Sequence, residues 1–168
     1  MSSPDEPLFD GHPAPEGPGP GPVHERVRAL VEGQPYAVLC VQGEGQPYGA
    51  LVAFAFSPDL RHACFVTPMA TRKYRLLSEC DHVALVVDSR ASSPDRLMEI
   101  EAVTVTGRAL AIDRGAEFDR WAELLVSRHP YLQSFVNAPT CALFRIDVVR
   151  FLHVSRFQEV RQWVPNPS

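Results

Sequence analysis

Residues Ala50–Arg90, ALVAFAFSPDLRHACFVTPMATRKYRLLSECDHVALVVDSR, carry the pattern that decides the fold. A β-rich run, Pro47–Phe56, ends inside this stretch. SPDLR follows with the Ser, Pro and Asp of a tight turn, and a second β-rich run covers His62–Pro68. Thr71 then stands where a helix N-cap belongs, predicting a helix to about Cys80. Another apolar run, His82–Ser89, closes the stretch. Strand, turn, strand, short helix, strand leaves little room for the crossover helices of a parallel sheet.

The same texture continues outward. YAVLCVQ (Tyr36–Gln42) precedes the stretch, joined to Pro47–Phe56 by GEGQ, which has the chemistry of a hairpin turn. Ala102–Ile112 alternates Val103 and Val105 with Thr104 and Thr106, one face buried and one exposed. An amphipathic helix follows, with Phe118, Trp121, Leu124 and Leu125 as its stripe, Asp113 or a neighbour as cap and Pro130 as stop. The β pattern returns in Cys141–Ser155 and gives way to a polar tail rich in proline and arginine. Near the start, Val27, Leu30 and Val31 define a helix from His24 to about Glu32, ended by Gly33. These segments predict a mainly β, antiparallel barrel of about six strands with flanking helices.

Half of Met1–Pro22 is proline or glycine, which predicts a flexible tail at 1–22, a single domain over 23–163 and a short C-terminal tail at 164–168. The chain of 168 residues is 45% hydrophobic and 21% charged, with a net charge of −4 and no long basic run. Neither nucleic acid nor a membrane surface is the expected partner. No run approaches the roughly 20 apolar residues of a membrane span, and Met1–Pro22 lacks a signal-peptide pattern, so a cytoplasmic location is expected. Cys40, Cys64, Cys80 and Cys141 form no metal or redox spacing and read as small buried hydrophobes.

One local conflict carries chemistry. A helix start is the positive end of the macrodipole, where acidic residues are favoured. Here the first turn carries Arg72, Lys73 and Arg75. A bound phosphate would accept the free N–H groups and pair with the cations. Alternatively the three side chains point into solvent, at a cost of about 0.3–1 kcal/mol each. Nucleophile elbows, zinc-protease motifs, Walker loops and GxGxxG turns are absent. His12, His24, His62, His82, His129 and His153 show no i, i+4 pairing for a metal, and Glu99 and Glu101 read equally as edge charges or as an acid–base pair.

Taken as a unit, Ala50–Arg90 resembles the pyridoxamine 5′-phosphate oxidase-like family of FMN-binding split β-barrels. A strand ending in T-P, a helix opening A-T-R-K and a strand ending in Asp or Ser stand in the family's order, and AVTVTGRA and FLHVSRFQEV resemble its fifth and last strands. The resemblance implies a homodimer with FMN at the subunit interface. It implies that Arg72 and Lys73 hold the phosphate with help from Thr71. Val52, Ala53 and Phe54 would line the flavin, and Val66 and Thr67 would offer it backbone groups. Arg156, Phe157 and Gln158 of the partner copy would close over the ring.

The pattern also departs from the family's name-giving enzymes. Those end in a basic segment with a tryptophan and an R-L pair, whereas this chain ends VRQWVPNPS, and Ala102 stands where they carry a flavin-binding glutamine. The implied function is therefore an FMN-dependent oxidoreductase acting on an unidentified small substrate rather than on pyridoxamine phosphate. Two alternatives stay open: a heme-binding or heme-degrading barrel with His153 as axial ligand, and a non-catalytic flavin carrier or redox sensor.

Overall fold

The computed structural model describes residues 21–156 and 159–165. Its elements, in chain order, are α1 (Pro22–Gly33), β1 (Tyr36–Gly43), β2 (Gln46–Ala53), β3 (Ala55–Phe56), β4 (His62–Pro68), α2 (Arg72–Glu79), β5 (His82–Asp88), β6 (Ala102–Ile112), α3 (Ala116–Arg128), α4 (Gln133–Asn137), β7 (Cys141–Ser155) and β8 (Glu159–Trp163). Short 3₁₀ turns precede β6 and α4.

The strands form one antiparallel sheet in the order β2-β1-β5-β6-β7-β4-β3, with β8 added to β7. The two ends of that path, β2 and β3, are consecutive in the chain with only Phe54 between them. One residue thus ties the sheet's edges together and curls it into a split barrel. Phe54 is itself wholly buried, so the tie is also a core residue.

Period-two alternation places Leu39, Val41, Phe65, Leu85, Val105, Phe144 and Phe151 inside the barrel. α1 adds Val23, Val27, Leu30 and Val31 to this core. A second apolar layer forms where α3 and α4 pack Phe118, Ala122 and Val136 against Leu143 of β7. The β1–β2 hairpin turns on Glu44 and Gly45, both at positive φ (51° and 76°), as a two-residue type I′ connection requires. At the β6 bulge between Thr106 and Gly107, a Cβ on Gly107 would lie 2.5 Å from the Asp147 carbonyl oxygen, so only glycine fits without a shift.

Three expectations need correction. Among the described residues the sheet has eight strands rather than about six: Pro47–Phe56 splits at Phe54 into strands on opposite edges, and the polar tail contains β8. β8 forms because Gln162 and Trp163 are buried on β7. Asp113 does not cap α3, whose N-cap is Gly115 with no side-chain bond. All four cysteines are free, but only Cys64 and Cys141 are buried, Cys40 and Cys80 being partly exposed. α2 starts after Thr71 and ends before Cys80, as its sequence predicts. No helix among the described residues is long and apolar enough to cross a membrane. Of the stretch read as a flexible tail, residues 1–20 lie outside the described residues, and its last residue, Pro22, opens α1.

Candidate cofactor site

The link from β4 to α2 is built on two threonines. The Thr71 hydroxyl accepts the Tyr74 N–H at 3.2 Å and donates to the Pro68 carbonyl at 2.9 Å. Thr67, wholly buried at the end of β4, sets its hydroxyl 3.1 Å from that of Thr71. The Thr71 hydroxyl is thereby used up. The N–H groups of Arg72 and Lys73, in the first turn, have no acceptor within the helix.

The cations around those N–H groups are set apart from most of the protein's other basic side chains. Arg26, Arg108 and Arg145 each meet a carboxylate. Among the described residues none of Arg72, Lys73 and Arg75 is in an ion pair, and the first turn of α2 holds no acidic residue. Arg72 instead lies over the ring of Tyr48 on β2, 5.4 Å from its centroid. Lys73 is half-buried, and this burial pushes its ammonium below the ordinary lysine range. A positive helix end, two open N–H groups and cations lacking carboxylates suit one phosphate group. Tyr48 was not singled out from sequence, where it reads as one more aromatic in a strand; its role depends on α2 folding back against β1 and β2.

Other predicted residues take different positions. Val52 and Phe54 face the barrel interior, so a ligand outside could meet only their backbone. Ala53 is half-buried opposite Tyr36. Because β2 ends the sheet path, one edge of its peptide groups has no strand partner. Val66 points its side chain into the α3–α4 layer beside Trp121 and Leu132. Arg156 is exposed and lies beyond the C-terminal end of β7, whereas Thr67 pairs with Ala142 near its other end. Thr67, Thr71, Arg72 and Lys73 thus come together; Arg156 of the same subunit does not join them. Phe157 and Gln158 lie outside the described residues.

Two buried histidines matter here. A ring N–H of His129 is positioned to donate from Nε2 to the Phe54 carbonyl at 2.8 Å, holding the backbone where β2 passes to β3. His153 is wholly buried, with Nε2 3.6 Å from Glu101 Oε2. Burial pushes its pKa down; Glu101 opposes this, while Arg26 and Arg161 reinforce it. No three His, Cys, Asp or Glu side chains among the described residues are placed to hold a metal.

This geometry, an antiparallel barrel split at one side with a cationic helix start at its rim, defines a split-barrel protein. The family model for pyridoxamine 5′-phosphate oxidase matches residues 23–155, and the chain belongs to that family. A heme-binding protein from Mycobacterium smegmatis superposes with a TM-score of 0.75 over 84% of this chain, at 14% identity. The chain spans 57% of that protein's length. An FAD-binding protein from Mesorhizobium loti superposes with a TM-score of 0.63 at 19% identity, covering 78% of this chain and 90% of the other. A protein from Clostridium acetobutylicum, related to general stress protein 26 and placed in the pyridoxinephosphate oxidase family, gives 0.66 at 13% identity, covering 83% and 92%. At such identities these likenesses establish the fold. No curated protein matches the chain.

Proposed function

We propose that the chain binds FMN, with its phosphate at the start of α2, and acts as a homodimeric flavin-dependent oxidoreductase on a small substrate. The observation that carries this reading is the unpaired cationic turn Thr71–Lys73, because a phosphate satisfies its N–H groups and its charge together. Bound flavin would supply the hydride or electron transfer, which accounts for the lack of a nucleophile or acid–base motif in the sequence. The protein's own part is to hold the phosphate with Arg72 and Lys73, to brace Arg72 on Tyr48, and to offer β2 and β4 backbone to the ring.

The second copy is supported by the outer face of the sheet. Leu51, Val38, Val86, Thr104 and Leu152 form one row across β2, β1, β5, β6 and β7, and Leu51 is 68% exposed. Flanking this row, Thr106 Oγ1 and Arg150 Nε are buried without hydrogen-bond partners. A largely apolar row of this kind, interrupted only by Thr104, suits an interaction surface. The distance along β7 between Thr67 and Arg156 also means that Arg156 would reach a flavin only from the partner copy.

The heme reading is supported less well. Its candidate ligand, His153, lines a pocket of about 240 Å³ whose walls include Glu99, Glu101 and Glu159, poor neighbours for an apolar porphyrin. Absorption spectra of the purified protein before and after adding FMN test the choice. Perturbed flavin bands support the proposal; a Soret band and no response to FMN would replace it with heme.

A further inference from the structure

The outer face of the sheet has relief as well as apolar character. Beside the ridge Leu51–Val38–Val86–Thr104–Leu152, two residues along each strand, runs the row Gly49–Cys40–Ala84–Thr106–Arg150. The first three members of this row are small. Cys40 and Ala84 lie in an open hollow of about 320 Å³ rimmed by Gln42, Pro47 and His82. Leu51, at the end of the ridge, is 68% exposed. On the ridge's other side the corresponding positions on β1 and β5 hold Tyr36 and Asp88, which leave no such hollow.

A ridge beside a hollow is self-complementary under a two-fold axis. We infer that two copies of the chain pair through this face about an axis running across the strands between the two rows, so that each ridge fills the other copy's hollow. The inference rests on the homodimer proposed above and gives it a register. Val38 and Val86 of the partner copy stand over Cys40 and Ala84, and its Leu51 stands over Gly49. Thr104, the polar member of the ridge, falls opposite Thr106, whose hydroxyl has no hydrogen-bond partner in its own copy. Leu152 lies along the aliphatic stem of Arg150. An axis along the strands would stack ridge on ridge and leave both hollows empty, forfeiting packing. Five strands about 4.8 Å apart and four rows about 6.7 Å apart give a face of roughly 650 Å², near the 800 Å² or so per partner of a stable interface. The same rotation reverses the strand direction. Tyr48 and Thr67 lie on the hollow side of the axis and Arg156 on the ridge side. The axis across the strands therefore brings the partner copy's Arg156 to the end of the sheet where α2 starts, and an axis along them does not.

The test is a size swap read by analytical ultracentrifugation. Ala84→Leu fills the hollow and should weaken the dimer at least about tenfold, through overpacking at two symmetric places. Ala84→Leu/Val86→Ala exchanges ridge and hollow and should bring affinity back to within about threefold of the parent protein. Ala84 is half-exposed in a single copy, so circular dichroism should show the fold kept in both variants. Cys40 gives a second readout. It is partly exposed in one chain, and its labelling by a maleimide should slow as the parent protein is concentrated through its dimer range. An unchanged dimer in Ala84→Leu, no recovery in the double variant, or Cys40 labelling independent of concentration would overturn the inference. A monomeric parent protein would remove the homodimer along with it, whereas a dimer indifferent to the swap would remove only this register.

Discussion

At Thr71 one hydroxyl accepts the Tyr74 N–H and donates to the Pro68 carbonyl, while the Thr67 hydroxyl lies against it. A capped helix start can therefore still hold open N–H groups for a ligand, and the cations beside it bear on affinity more than on stability. Tyr48 belongs to that balance because it fixes where Arg72 stands. Replacing it in Tyr48→Leu should weaken FMN about two- to fivefold, the worth of an exposed cation–π contact, as read by flavin fluorescence titration. His153 makes a different prediction. Its folded pKa lies below the ordinary 6.5, so the unfolded chain takes up a proton first as the pH falls. Its contribution is fully present above about pH 6.5 and is lost as the pH drops from there towards the folded pKa. Melting temperatures measured between pH 7.5 and 5 should fall less steeply in His153→Gln than in the parent protein; equal slopes would count against a neutral buried imidazole.

Among elements, Gly107 sits at the β6 bulge against the Asp147 carbonyl. Gly107→Ala should destabilise the protein by about 1–3 kcal/mol through overpacking, measured by urea unfolding. α2 was legible because Thr71 is an N-cap standing between two β-rich runs, His62–Pro68 and His82–Ser89. The run Pro47–Phe56 was not, since Phe54 is both β-prone and apolar; that it marks a change of sheet edge depends on contacts far along the chain. β8 was hidden for a related reason. Its sequence looks polar until Gln162 and Trp163 meet β7, which no local signal announces. At the site, the cationic turn was readable from charge and cap alone. Tyr48 and His129 were not, because their partners, Arg72 and the Phe54 carbonyl, are distant in sequence.

For the whole molecule, the outer row Leu51–Val38–Val86–Thr104–Leu152 belongs to none of the apolar clusters formed among the described residues, whereas α3 and α4 cover the face near β3 and β4. If a second copy lies there, Leu51→Asp should shift light scattering from dimer to monomer and weaken FMN with it; an unchanged dimer would place the interface elsewhere. In such a dimer the barrel closure, the outer face and the cationic rim would serve one arrangement, with each cofactor held by two chains. Its central claim is that the start of α2 binds a phosphate. The most direct measurement is FMN titration of the parent protein and of the double variant Arg72→Ala/Lys73→Ala, with melting temperatures for both. Loss of two charge-assisted hydrogen bonds, each about 1.5–3 kcal/mol, predicts affinity lower by at least about 10²-fold with the melting temperature nearly unchanged. Equal FMN affinity in the two proteins would contradict the assignment.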